Sequence, residues 1–260
     1  MSRPRLITLA ISPYNDFGRW SLDRSGVAFD EERKPLIWHA IASRRAGGKG
    51  TTPVLISDGE VVPESAEIAE WADRNGRDPG SLFPPGPGGD EVRSLVRRFG
   101  EDLGTQSRPL LWAALVDDLP LASRYWSQGL SPRQARAQPW LLRATKPAIR
   151  RGLGIKPDTP ESAAARIREI FDDVAGRLDR HPHLVGDRIT AADLSFAAMA
   201  SPALLPPEGP PTRYPQPEEL PREDVADAIR DLRAHPAGAY ALRLYRDERT
   251  PSDAVRARDA

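Results

Sequence analysis

The chain is 260 residues long and carries 37 Lys and Arg against 37 Asp and Glu, so its net charge is zero with the histidines neutral. No block of like charge stands out as an electrostatic landing strip for phosphates or anionic lipid, so nucleic acid and membrane surfaces are not expected partners. The absence of cysteine excludes disulfides, thiolate metal sites and any sulfur nucleophile supplied by the protein itself.

Residues 6–11 form an apolar run rich in strand formers that stops at Ser12-Pro13, which predicts a buried strand. The run is too short for a secretory signal and no segment is long enough to span a bilayer, so a soluble, cytoplasmic protein is expected. Ser12 is a good N-cap and Pro13 suits a first helical turn, which predicts a helix carrying Phe17 and Trp20 and ending at Gly26. Gly26 to Phe29 reads as the entry to a second strand. Pro35 opens a helix through Leu36, Ile37, His39 and Ile41 that gives out at the glycine run over residues 47–50. Pro53 to Ile56 is a third strand, Asp58-Gly59 a hairpin turn and Glu60 to Val62 a fourth strand. Pro63-Glu64-Ser65 then starts a helix with Ile68, Ala69 and Ala72 on its apolar stripe. The order β-α-β-α-β-β-α over residues 1–76 predicts a small mixed sheet flanked by helices.

Residues 77–89 are dense in proline and glycine and read as an interdomain linker. No strand is expected over residues 90–260, where apolar residues recur at helical spacing over 90–117, 139–152, 160–178 and 191–203. Thr190 and Asp193 have the spacing of a capping box, with Ile189 and Leu194 as its hydrophobic staple. Residues 205–220, rich in proline, read as an irregular surface excursion. Two more helices are expected over 222–234 and 236–248, before a charged end that should fray. Trp112, Tyr125, Trp126 and Trp140 are expected mostly in the core, with one or more free to line an apolar pocket.

Three places in the first domain are able to carry chemistry. Thr52-Pro53 precedes a strand; there a cis bond would leave the Thr52 backbone free to pair with an extended peptide, while the plain alternative is a proline at a strand edge. Glu64-Ser65 opens a helix: a free helix start with a hydroxyl receives a carboxylate and Glu64 an ammonium group, whereas ordinary capping explains the same residues. Ser12 caps the first helix, and its hydroxyl could also donate to a thiol lying over the positive end of that helix; Tyr14 is a second possible donor or a core tyrosine.

Ser12-Pro13-Tyr14, Thr52-Pro53-Val54-Leu55, Asp58-Gly59, Glu64-Ser65 and the stretch Leu184 to Asp193, in this order, resemble the glutathione S-transferase superfamily, and the serine-type bacterial members in particular. The resemblance implies an α/β thioredoxin-like N-terminal domain that binds glutathione, joined to an all-helical domain. It further implies that Ser12 activates the glutathione thiol, that Thr52 beside a cis-Pro53 holds the cysteinyl backbone, and that Glu64 and Ser65 bind the γ-glutamyl group. Thr190 and Asp193 match the family's capping box, which serves folding. A homodimer is implied as well. Asn15 stands where related sequences often carry cysteine, which argues against thiol-disulfide reductase chemistry. The run Asp16-Phe17-Gly18 is unusual for the family and bears on the electrostatics of the thiol site.

Weaker signals add little. Ser43 and Gly50 break a phosphate-loop match around Gly48-Lys49. Lys49 or His39 is able to meet the glycine carboxylate of glutathione, or simply to face solvent. His181 and His183 beside Asp179 and Asp187 lack a scaffold for a metal, so none is expected. The expectation is a transferase that joins glutathione to a small hydrophobic electrophile. The alternatives are a non-catalytic carrier on the same scaffold and, behind it, glutathione-dependent peroxide reduction or isomerisation.

Overall fold

A computed structural model of the chain describes residues 3–208 and 213–249. The N-terminal part runs β1 (Arg5–Thr8), α1 (Pro13–Arg24), β2 (Asp30–Arg33), α2 (Trp38–Arg45), β3 (Val54–Ser57), β4 (Glu60–Val62) and α3 (Ser65–Asn75). The four strands lie in the order β2-β1-β3-β4. β1 pairs parallel to β2 and antiparallel to β3, which pairs antiparallel to β4. Leu6, Leu22, Phe29, Leu55, Val62, Ile68 and Trp71 fill the space between this sheet and the helices α1 and α3. Both helices therefore cover one face of a thioredoxin-like sheet.

The second strand begins at Asp30, past the predicted Gly26 to Phe29, and reads Asp-Glu-Glu-Arg. Acidic residues are poor strand formers; here ion pairs compensate. Glu32 meets Arg5 at 3.1 Å and Lys34 at 3.0 Å, while Glu31 turns inward onto Arg19. The charges also blunt an exposed sheet edge. α2 starts at Trp38 and not at Pro35, because Ile37 has φ 70° and breaks the helical path.

Residues 77–89 are not a loose tether. Both Asp73 carboxylate oxygens accept backbone bonds from the stretch, from Leu82 at 2.8 Å and Gly80 at 3.1 Å. Leu82 and Phe83 are buried, and the Leu82 carbonyl accepts from Ala191 N–H. The last residues of the stretch already form the first turn of α4 (Pro87–Arg98).

A π-helical turn, Phe99–Leu103, joins α4 to α5 (Gly104–Leu115), followed by α6 (Leu119–Trp126), α7 (Pro132–Gly152), α8 (Thr159–Leu178), α9 (Ala191–Leu204), α10 (Glu223–Ala234) and α11 (Pro236–Glu248). Every residue of α9 is buried, as befits a helix apolar on all sides, and it packs against α1, α4, α5 and α11. Asp193 near its start accepts from the backbone and hydroxyl of Thr190, from Leu184 N–H and from the Tyr240 hydroxyl. The short α6 was not expected; Asp118 caps it by accepting from Leu121 N–H at 2.9 Å. α7 starts at Pro132, ahead of the expected Pro139, because Ser131 and Gln134 cap each other there.

Two expectations fail on burial. Trp140 lies on the outer face of α7 and is 75% exposed, not core. The described part of 205–220 is no surface excursion: Leu205, Tyr214 and Leu220 are buried, and the Tyr214 hydroxyl bonds Ser201 Oγ at 2.7 Å. The charged end from residue 250 lies outside the described residues. Just before it, the fully buried Arg249 reaches back to α1 and pairs with Asp16 at 3.1 Å and Asp23 at 2.8 Å.

Candidate functional site

The start of α1 faces a cleft between the sheet domain and the helices. A polar hollow of about 330 Å³ is bordered there by Ser12, Tyr14, His39, Thr52, Glu64 and Arg108, among others. Beside it lies a second hollow of about 340 Å³ with a mostly apolar wall that includes Leu36, Leu111, Trp112, Trp126 and Leu153. Leu9, Ser12, His39 and Arg108 border both. Ser12 thus stands at the junction of a polar and an apolar compartment.

Short local rules place Ser12. Its extended backbone ends the loop after β1, and its hydroxyl oxygen accepts a long bond of 3.4 Å from Asn15 N–H. The hydroxyl proton has no acceptor among the described residues. The free N–H groups of a helix start carry partial positive charge and favour an anion above them. The loop that carries Ser12 is held from below: Arg19, 1% exposed, donates to the Leu9 carbonyl at 2.6 Å and to Glu31 at 2.6 Å. Burial alone would push the Glu31 carboxyl up, but Arg19 and Arg33 outweigh it and hold the group at about 2. Buried Asn15 bridges the same loop to Thr52.

The Thr52–Pro53 peptide is cis. Pro53 packs against α1 at Gly18, where an added Cβ would lie 3.3 Å from the proline ring. Only a small residue leaves that contact undisturbed. The Thr52 backbone N–H and C=O make no backbone hydrogen bond among the described residues and border the polar hollow. Glu64 occupies the N-cap position of α3 but makes no side-chain cap, so the N–H groups of the first turn stay open to an anion. Lys49 Nζ lies 3.6 Å from Glu64, both groups well exposed. Ser65 is buried against a further hollow on the far side of Glu64.

Tyr14 is placed differently from Ser12. Its hydroxyl donates to the Gly100 carbonyl in the π-helical turn at 2.7 Å, so its proton is already committed. Gly104 makes room for it, since a Cβ there would come within 2.7 Å of the phenol oxygen. Burial pushes the phenol above its ordinary value, opposed by the nearby Arg108. Burial also lowers the His39 imidazole, so it meets a ligand as a neutral group near pH 7.

The unusual run after Asn15 turns away from the cleft at Ser12. Asp16 turns to Arg249 and to the Tyr245 hydroxyl, Phe17 enters the core and Gly18 accommodates Pro53.

Arg108 was missed in the sequence. It is the only charged residue of α5, and a lone charge in an apolar helix next to Leu111 and Trp112 is the signal that could have found it. The His183 ring nitrogen bonds the Tyr240 hydroxyl at 3.0 Å, which gives that histidine a packing role.

Residues 6–80 match the family model described as glutathione S-transferase, N-terminal domain. A search of curated proteins gave no sequence match. Among solved structures, a glutathione S-transferase from Sinorhizobium meliloti 1021 is similar over 98% of each chain, at 19% identity and a TM-score of 0.55. One from Rhodospirillum rubrum F11 is similar over 97% of this chain and 98% of that one, at 17% identity and a TM-score of 0.57. A theta-class enzyme from the citrus canker pathogen Xanthomonas axonopodis pv. citri, solved with glutathione bound, is similar over 93% of this chain and 98% of its own, at 15% identity and a TM-score of 0.54. Residues 6–80 thus match a glutathione S-transferase N-terminal domain, and the chain shares the fold of these solved transferases over nearly its whole length.

Proposed function

We propose that the protein is a glutathione transferase that joins glutathione to a small hydrophobic electrophile, with Ser12 stabilising the thiolate. The observation that carries this reading is the meeting of the two hollows at Ser12: one has the groups for a tripeptide, the other an apolar wall for a second reactant. In this reading glutathione lies along Thr52 and Pro53 as an added strand. Its γ-glutamyl end meets Glu64 and Ser65 at the open start of α3, and its glycine carboxylate approaches Lys49 or His39. The sulfur then lies over the start of α1.

There the Ser12 proton and the helix dipole act on the same atom. A combined stabilisation of about 1.4–2.8 kcal/mol lowers a thiol pKa by about one to two units, enough to enlarge the thiolate fraction at neutral pH. The thiol proton passes to solvent. The thiolate forms a sulfur–carbon bond, and the leaving group departs with the electron pair of the bond it breaks. Tyr14, whose proton goes to Gly100, supports the cleft wall in this scheme. Holding both reactants side by side supplies the remaining advantage through proximity. Residues 1–76 act as the glutathione-binding unit and residues 90–260 as the helical unit. A homodimer and a cytoplasmic location belong to the same reading; sedimentation velocity tests the first.

Calorimetry with glutathione, followed by an aryl-halide conjugation assay, tests the function. Binding with turnover is expected. Binding without turnover favours the carrier, and no binding removes both. A titration of thiolate absorbance on the complex should show Ser12→Ala raising the bound thiol pKa by about one to two units; an unchanged curve removes Ser12 from the mechanism.

A further inference from the structure

Arg108 stands out among the residues that border the apolar hollow, because it is the only one with a formal charge. Its guanidinium is held in place without being neutralised. Nε donates to the Gly104 carbonyl at 2.9 Å and the plane lies 5.0 Å from the centre of the Tyr14 ring. Arg108 forms no ion pair among the described residues, whereas Arg19 and Arg249 are each paired with carboxylates. The side chain is half-buried between Trp112 and Leu111 on one side and the Ser12 junction on the other. A cation in an apolar wall is costly unless an opposite charge or acceptor meets it. The guanidinium also offers a planar set of donors suited to a carboxylate.

We infer that the second reactant carries an anionic group, a carboxylate or its equivalent, on an apolar and flat body, and that Arg108 receives it. The flat body packs on Trp112 and Trp126, whose rings lie 4.5 Å apart. The anion on Arg108 sets the distance of the reacting carbon from the sulfur above Ser12. Arg108 is thus a specificity-determining residue, and the substrate class is that of acidic aromatic electrophiles. This rests on the proposed glutathione site. It differs from a role for Arg108 on the glycine carboxylate of glutathione, for which His39 on the border of the polar hollow and Lys49 beside Glu64 are the candidates.

The test uses two conjugates that fill both hollows, S-benzylglutathione and S-(4-carboxybenzyl)glutathione, titrated calorimetrically into the full chain and its Arg108→Met and Arg108→Lys variants. The wild-type protein should bind the carboxylated conjugate about ten-fold tighter than the neutral one. Arg108→Met should bring the ratio of the two dissociation constants close to one, and Arg108→Lys should keep an intermediate ratio. A wild-type ratio near one overturns the inference while leaving the transferase reading intact. A ratio that survives Arg108→Met, or both affinities falling together at constant ratio, overturns it too, the latter assigning Arg108 to glutathione itself. If neither conjugate binds, the glutathione site falls and the inference with it. Should Arg108→Met fail to fold, the wild-type ratio measured at low and high salt decides: an ion pair predicts that it shrinks as salt rises, and a salt-independent ratio overturns the assignment.

Discussion

The wall of the cleft that bears Leu9, Ser12 and Thr52 is fixed from beneath by buried charge and amide groups, whereas the facing wall of Leu111, Trp112, Trp126 and Leu153 is fixed by apolar packing. Arg19 ties the Leu9 carbonyl to Glu31, and Asn15 ties the same loop to Thr52. Each of these bonds has a direction and one partner. Across the cleft, Trp112 and Trp126 meet ring on ring and Leu111 joins the helical core. Apolar contacts have no direction, and substitutions that keep volume are tolerated. One wall is therefore suited to an invariant ligand and the other to one that varies.

The sharpest way to break this contrast is to strip the polar wall of its cation. Arg19→Met leaves Glu31 buried with a reduced set of partners and the Leu9 carbonyl with only the longer bond from Asn15, at 3.3 Å. Loss of one member of a buried pair costs about 3–5 kcal/mol, so urea unfolding should show a loss of that size. A loss below about 1 kcal/mol would mean that Arg33 alone suffices for Glu31.

Acid should attack the same wall. Glu31 is held at about 2 in the folded chain against an ordinary 4.5. The folded value lies below the unfolded one, so the stabilisation is complete above the ordinary value and is lost as pH falls towards 2. Linkage puts the share of this one group at about 3 kcal/mol. Denaturation curves of the wild type and Glu31→Gln should therefore converge as pH drops from 5 to about 2. Parallel curves would locate the acid sensitivity elsewhere.

On the apolar wall, Leu111→Met should cost less than about 1.5 kcal/mol. Its effect belongs to the electrophile: the KM of the second reactant should move more than that of glutathione. A change of the opposite pattern would show that the two compartments are not mechanically separate. The smallest effect is expected at the rim. Lys49 and Glu64 are 69% and 45% exposed, so Lys49→Ala should alter stability by no more than about 0.5 kcal/mol. The same substitution should weaken glutathione binding if Lys49 meets the glycine carboxylate.

How much of this was legible in the sequence follows the same division. The polar wall is built from local rules: a serine at a helix start, a proline ahead of a strand, an Asp-Gly hairpin. Such rules act over a few residues, so Ser12, Thr52, Pro53 and Glu64 could be singled out without coordinates. The second strand was placed a few residues early, because its acidic residues are satisfied by Arg5, Arg19 and Lys34, partners that no local rule supplies. The role of Asp16 is illegible for the same reason, its partner Arg249 being at the other end of the described chain. The apolar wall combines Leu36, Arg108, Trp126 and Leu153, which share no motif. Only the packing of α5, α6 and α7 beside the stretch ahead of α2 brings them together, so no local rule singles out Arg108 or sets Trp140 outside the core.

The clasp between Arg249 and the two aspartates of α1 has a bearing on how the molecule is made. Asp16 and Asp23 belong to α1, yet the cation they share lies more than two hundred residues further along the chain. Before that stretch docks, these two interior acids lack this particular cation. The finished surroundings of α1 therefore depend on the docking of a segment far along the chain, beyond α11.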